Sequence, residues 1–327
     1  MYPKKRRRIK KEKAFADDGV DKLTIDSYEL MIVGAGPAGM TAALYAQRMG
    51  LDVVVFGDIA GGSTYMIEQL DNFPGFINGI PGTQFGLQTF QQAQQEGAFF
   101  TMTRLESLVY ANGLFTGTDA DGKTIAAPSV IAATGRTPKR LAVSKANLKG
   151  IHFCSICDGP LYRNKHALLA VIGSDNAAGQ HAVALSKVAD KVLLVCRSEQ
   201  LLMDAVHRKQ IESKQNIEVL SGVEVVGYEG LDLIEGIKIK ASASADKLLA
   251  VDGVFLAIGW QPNTGMFNLA VDMTAEGYLR TDEKLMTSLP GLFAAGDVRN
   301  TDMWQVLTAC ADGARAAKYV AEYLSNY

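Results

Sequence analysis

Apolar positions fall along this chain mostly in short unbroken runs, the pattern of parallel strands buried on both faces. Such runs end at Glu29–Val33, Leu51–Phe56, Ser129–Thr134, 167–172, 191–196 and 254–259. Two of them lead through a glycine-rich turn into a helical pattern. The first is strand 29–33, turn GAGPAG at 34–39, helix Pro37–Met49 and strand 51–56. The second is strand 167–172, turn 173–178, a helix to about 188 and strand 191–196. Phe85, Leu87, Phe90 and Ala93 predict a further helix over 83–96, and Trp304–Leu324 a last one. Short β segments fill 99–134, with an Asn-Gly turn at 112–113 and an Asp-Gly turn at 121–122; another meander is expected over 216–258.

The order is strand–helix–strand, meander, ATG; then strand–helix–strand, meander, AIG; then a return through FAAGDV at 293–298. This is one module duplicated, its second copy inserted in the first. The fold class is α/β: two Rossmann-like, three-layer ββα domains. The expected division is a basic tail at 1–27, a discontinuous domain of 28–136 with 264–327, and a central domain of 137–263.

Length and composition fit two globular domains: 327 residues, 48% hydrophobic, 21% charged. No apolar run is long enough to span a membrane, and no apolar stretch follows the basic start as a signal peptide requires. The net charge of −2 hides an asymmetry, because residues 1–13 carry eight basic side chains and one acid, which leaves −9 for the rest. Such a tail is expected to be disordered. It is either a solvated start or added sequence, or an arm for an acidic protein, nucleic acid or an import receptor.

In GAGPAG, Gly34 permits the tight turn, Gly36 lets the backbone reach a pyrophosphate and Gly39 lets helix and strand pack closely. The acid expected at the end of the second strand is displaced to Asp58. Asp297 stands at a strand C-terminus, where ligands gather in open α/β sheets. CSICDG at 154–159 holds the redox chemistry: cysteines two residues apart close a small ring and exchange electrons with a thiolate partner. Asp158 directly after the pair is a proton donor or acceptor, or else a turn or helix-cap residue. Cys196 and Cys310 are isolated and the four histidines form no ligand pairs, so no metal is expected. The usage of cysteine suits a reducing compartment, the cytoplasm.

GAGPAGMTAALYA, the GG…NFPGF stretch, CSICDGPLYRNK, the TG/AIG pair and GLFAAGDV…WQVLTACADGARAA resemble the low-molecular-weight thioredoxin reductase family in order and spacing over about residues 28–325. The resemblance implies FAD, a redox disulfide in the central domain, thioredoxin as partner, and a homodimer. It implies that Cys157 faces the flavin C4a, that Cys154 attacks the partner disulfide and that Asp158 manages protons. Flavin contacts would fall on Gly34, Gly36, Pro37, Ala38, Gly39, Gly61, Gly62, Asn72, Thr134, Gly135, Gly296, Asp297, Trp304, Gln305 and Val306.

The departures cluster in the central domain. The family pattern G-G-G-x-[ST]-A reads GSDNAA at 173–178, and H-R-R-x-x-x-R-A reads CRSEQLLM at 196–203. Asp175 stands where a glycine should meet pyrophosphate. Like charges about 4 Å apart cost roughly 4 kcal/mol at an effective dielectric of 20, about a thousandfold in affinity. The arginines that clamp a 2′-phosphate fall on Ser198 and Leu202, leaving Arg197. Near the flavin, Ser63 replaces Gln and Trp304 replaces Arg, and the indole could cover the flavin ring.

An intact flavin and disulfide set beside a damaged nicotinamide set resembles the pyridine nucleotide-independent branch of the family. That branch includes the ferredoxin-dependent flavin thioredoxin reductases and the deeply rooted thioredoxin reductases of cyanobacteria. Ferredoxins are acidic, and residues 122–157 contain no Asp or Glu but six basic residues, Lys123, Arg136, Lys139, Arg140, Lys145 and Lys149, with Arg163 and Lys165 close behind. The expectation is an FAD-dependent thioredoxin-disulfide reductase linked to ferredoxin. The alternatives are an oxygen-dependent dithiol oxidase, an NADPH-thioredoxin reductase with a divergent nucleotide site, and a flavoprotein that binds a partner without turnover. Neither a membrane nor nucleic acid is expected as a partner.

Overall fold

In the computed structural model, residues 26–67, 69–241 and 246–326 are described. The basic tail at 1–13 lies outside them. The chain falls into two compact units, one reaching to Thr137 and resuming at Pro262, the other Pro138–Gln261.

The first unit is built on a five-stranded parallel sheet in the order Leu292–Ala294, Ser129–Ala132, Leu30–Val33, Val53–Phe56, Phe99–Phe100. Its strands alternate between two buried faces. Leu30, Ile32, Val53 and Val55 face helices α1 (Pro37–Arg48) and α6 (Val306–Ser325). Met31, Val33, Val54 and Phe56 face the side of the antiparallel strands Leu105–Ala111, Leu114–Asp119 and Thr124–Ala127. Both faces are covered, which is why the runs read as continuously apolar. Between α1 and α2 (Gly82–Gln95) lies the loop that carries Gly61, Gly62 and Asn72.

The second unit repeats this plan. Its parallel sheet runs Ile151–His152, Gly253–Leu256, Leu168–Ile172, Lys191–Val195, Ile217–Leu220. Leu169, Val171, Val192 and Leu194 pack on one side with α4 (Asn176–Leu185) and α5 (Ala205–Glu212). Ala170, Ile172, Leu193 and Val195 pack on the other against strands Val223–Glu229 and Gly236–Ala241. The duplication differs in one respect. The strand next to the ATG strand comes from the chain's C-terminal return, whereas the strand next to the AIG strand comes from just ahead of the cysteines.

Beyond shifts of one or two residues at element ends, three features differ from expectation. Helix α4 ends at Leu185, not near 188, because Ser186 and the turn after it hand the chain to the next strand. Residues 217–220 join the parallel sheet and not the meander. Helix α5 has too few apolar residues for its periodicity to show, with only Ile211 buried. The short α3 (Ser155–Asp158) holds the cysteine motif.

Candidate active site

The GAGPAG turn is shaped by contacts that exclude side chains. Gly34 has φ +114°, and a Cβ there would lie 2.2 Å from the Ala133 carbonyl oxygen. A Cβ on Gly39 would lie 1.8 Å from the Gly34 carbonyl oxygen. Gly36 is different: it precedes α1 with φ −83° and ψ −174°, no side chain caps the helix, and a Cβ would meet only the Gly61 oxygen at 4.0 Å. The first helical amides are therefore open to an anion.

The other expected contacts gather around this turn within the same unit. The Gly61 amide donates to the Ala35 carbonyl at 2.8 Å. Gly62 and Gly296 abut it so closely that a Cβ would lie 2.8 Å from Gly36 Cα and 2.9 Å from Ala38 Cβ respectively. Asn72 Nδ2 donates to Gln305 Oε1 at 3.0 Å, at the head of α6, where Val306 begins the helix. Thr134 Oγ1 donates to the Asn263 carbonyl at 2.6 Å, fixing the strand end before Gly135. Asp58, by contrast, is ion-paired with Arg104 at 3.0 Å on the exposed surface.

A cluster here was not anticipated. Arg136, read from sequence as part of a basic surface, turns inward: its side chain is 12% exposed, 3.4 Å from Asp297 and 4.4 Å over the Trp304 ring. Burial pushes the half-buried Asp297 carboxyl up, and Arg136 opposes that shift. The Trp304 Nε1–H is buried without an acceptor among the described residues. An open helix head and an unsatisfied buried donor in one unit suit a large ligand with phosphate and ring acceptors.

In the second unit the equivalent turn is closed by its own residue. Asp175 precedes α4 with φ −91° and ψ −175°, the conformation of Gly36, and its Oδ1 accepts from the Ala178 amide at 3.1 Å. Gly173 keeps the turn, because a Cβ there would lie 2.3 Å from the Ala257 oxygen. Ser198 Oγ donates to the Gln200 carbonyl at 2.6 Å, and Leu202 is 69% exposed. Arg197 lies 4.0 Å from Glu224 at a cleft of about 280 Å³ that also touches Gly173 and Ser174. Glu224 adds a second carboxylate that sequence reasoning missed, because it arrives on a strand of the meander with no local signature.

Cys154 and Cys157 form a disulfide at the start of α3, and the Cys157 amide donates to Cys154 Sγ at 3.2 Å. Asp158 caps nothing with its side chain. Instead its Oδ2 lies 3.4 Å from Nδ1 of His152, a residue no sequence motif singled out. Cys196 is buried, donates to the Gly173 carbonyl and has its thiol pushed by burial to about 11. Burial also raises the Cys310 thiol, which is half-buried.

Residues 28–313 match the family described as pyridine nucleotide-disulphide oxidoreductase. The chain is 32% identical over 306 residues to a thioredoxin reductase of Listeria monocytogenes, covering 91% of this chain and 94% of that one. It is 33% identical over 304 residues to that of Treponema pallidum, covering 91% and 98%. The crystal structure of thioredoxin reductase from Streptococcus pyogenes superposes with a TM-score of 0.84 at 29% identity, covering 92% of this chain and 99% of that one. The chain belongs to the low-molecular-weight thioredoxin reductase family. It is a flavoprotein disulfide oxidoreductase, and FAD is its cofactor. Gly34–Gly39 and the Trp304 donor fit that cofactor in the first unit; Asp175 and Glu224 fit a dinucleotide poorly in the second.

Proposed function

We propose that this flavoprotein reduces thioredoxin through Cys154 and Cys157, and draws its electrons from reduced ferredoxin instead of NADPH. FAD accepts electrons singly and releases them as a pair, so it can join a one-electron donor to a disulfide. The Gly34–Gly39 turn would hold the pyrophosphate, with Asp297, Gln305 and the Trp304 indole around the rest of the cofactor.

In the thiol half of the reaction, the Cys154 thiolate attacks one sulfur of the thioredoxin disulfide. That bond breaks, a mixed disulfide forms and one thioredoxin sulfur leaves with the electron pair. Cys157 gives its proton to Asp158 and attacks Cys154. The mixed disulfide breaks, Cys154–Cys157 re-forms and the second thioredoxin sulfur leaves. Two electrons pass to thioredoxin, and its two sulfurs take up two protons, one returned by Asp158 and one from solvent.

The observation that carries the choice of donor is the Asp175 carboxylate on the Ala178 amide. A helix head that binds a phosphate cannot at the same time be capped by a carboxylate, and the two anions repel. The exposed Lys139, Arg140, Lys149, Arg163 and Lys165 supply a positive field for an acidic partner. A cytoplasmic homodimer belongs to the same reading. An anaerobic titration tests it: reduced ferredoxin should bleach the flavin and drive thioredoxin reduction, and NADPH should do neither. Rapid bleaching by NADPH would exclude the proposal.

A further inference from the structure

His152 lies at the end of the strand Ile151–His152, two residues ahead of Cys154. Its ring is gripped from three sides. Nδ1 is 3.4 Å from Asp158 Oδ2, Nε2 is 2.8 Å from the Tyr162 hydroxyl, and the ring face stacks on Phe255 with centroids 4.8 Å apart. The His152 and Asp158 side chains are only 13% and 19% exposed. Tyr162 is buried too. The Lys165 ammonium also approaches the network, 6.0 Å from the Tyr162 ring.

We propose that His152 is the positioning residue for Asp158, holding its ionised carboxylate beside the redox disulfide with a hydrogen-bond tautomer set by Tyr162. An ionised carboxylate only accepts, so the proton of the neutral imidazole sits on Nδ1 and points at Asp158. Nε2 then accepts from the Tyr162 O–H, and that bond selects the tautomer. Phe255 fixes the ring plane. A contact of 3.4 Å is loose, but contacts in proton-transfer sites commonly tighten only when the reacting partner is in place. The consequence concerns the step in which Cys157 loses its proton: the carboxylate that receives it is aimed by the imidazole. The inference rests on the reading of Asp158 as the proton acceptor.

The test uses the full-length, FAD-loaded protein, chemically reduced and then reoxidised by dithiodipyridine, with release of the aromatic thione followed from mildly acid to mildly alkaline pH. This probe needs neither thioredoxin nor ferredoxin nor a nicotinamide, and a Cys154→Ser protein supplies the baseline. His152→Phe, which keeps the stacking, should slow exchange about ten- to hundredfold, the weight of one hydrogen bond to a charged group. His152→Gln should recover part of the rate. In an Asp158→Asn background, His152→Phe should add nothing further. Independent multiplication of the two effects, or a His152→Phe profile that overlies the unsubstituted one while Asp158→Asn is slow, would overturn the inference alone. An Asp158→Asn protein with an unaltered rate and profile would overturn the acid–base reading and this inference with it. Imidazole nitrogen NMR of the unsubstituted protein gives a check that needs no variant: the Nδ1-protonated tautomer is expected for His152, and the Nε2-protonated one refutes the assignment.

Discussion

Gly36 and Asp175 hold the same backbone conformation at the head of the same helix in two copies of one turn, and only Asp175 fills that head with its own carboxylate. One copy is left open to a cofactor phosphate; the other satisfies its amide internally.

Asp175→Gly should therefore cost little stability, a few tenths of a kcal/mol, since glycine is itself a tolerable cap. It should not suffice to restore a nucleotide site, because Ser198, Leu202 and Glu224 remain. Asp175→Gly combined with Ser198→Arg, Leu202→Arg and Glu224→Ala should show NADPH-dependent flavin reduction in stopped-flow absorbance that the unsubstituted protein lacks.

Gly36→Ala and Gly39→Ala should separate cofactor binding from folding. The Gly36 Cβ would enter open space, 4.0 Å from its nearest neighbour, so the fold should lose no more than about 1 kcal/mol while the flavin content of purified protein falls. The Gly39 Cβ would strike the Gly34 oxygen, and that variant should lose about 1–3 kcal/mol or more. Urea unfolding and the flavin-to-protein absorbance ratio distinguish the two.

Asp312 joins α6 to the FAAGDV return at 293–298: it accepts from Arg299 Nε at 2.6 Å and from the Gly296 amide at 3.2 Å, while being 7% exposed. Asp312→Ala strands the Arg299 charge and the Gly296 amide together. A loss of about 3–5 kcal/mol is expected in urea unfolding at neutral pH.

The alkaline limb of stability should depend on Cys196. Its folded thiol sits at about 11 against an ordinary 9.0, so the unfolded chain loses its proton first as pH rises. The contribution is whole below pH 9.0 and is lost by about 11, on the order of 2–3 kcal/mol. Tyr228, pushed by burial to about 12, extends the same limb. Cys196→Ala should flatten the fall between these values in pH-dependent unfolding, whatever its packing cost at neutral pH.

Charge reversal of Lys139 and Lys149, both exposed, should slow ferredoxin-driven turnover at low salt and weaken its salt dependence. Reoxidation by a neutral small disulfide should be unaffected. Arg136 is the wrong residue for this experiment, since it is enclosed between Asp297 and Trp304.

The duplicated βαβ plan, the phosphate turn and the redox pair are legible in the order of residues alone, because each is local. A buried parallel strand demands an unbroken apolar run, a tight turn demands Gly34 or Gly173, and a small redox ring demands cysteines two residues apart. That order also exposed Asp175, since a carboxylate in a phosphate turn is a contradiction visible in six residues. Helix α5 escaped it because one buried residue makes no periodicity. The partnerships made across long stretches of chain came from the packed fold: Glu224 with Arg197, and Arg136 with Asp297 and Trp304. The same holds for His152, whose ring is oriented by Phe255 from a neighbouring strand and by Tyr162 beyond the cysteines. Side chains distant in sequence meet only where strand register and sheet order bring them, and those depend on the packing of the whole unit.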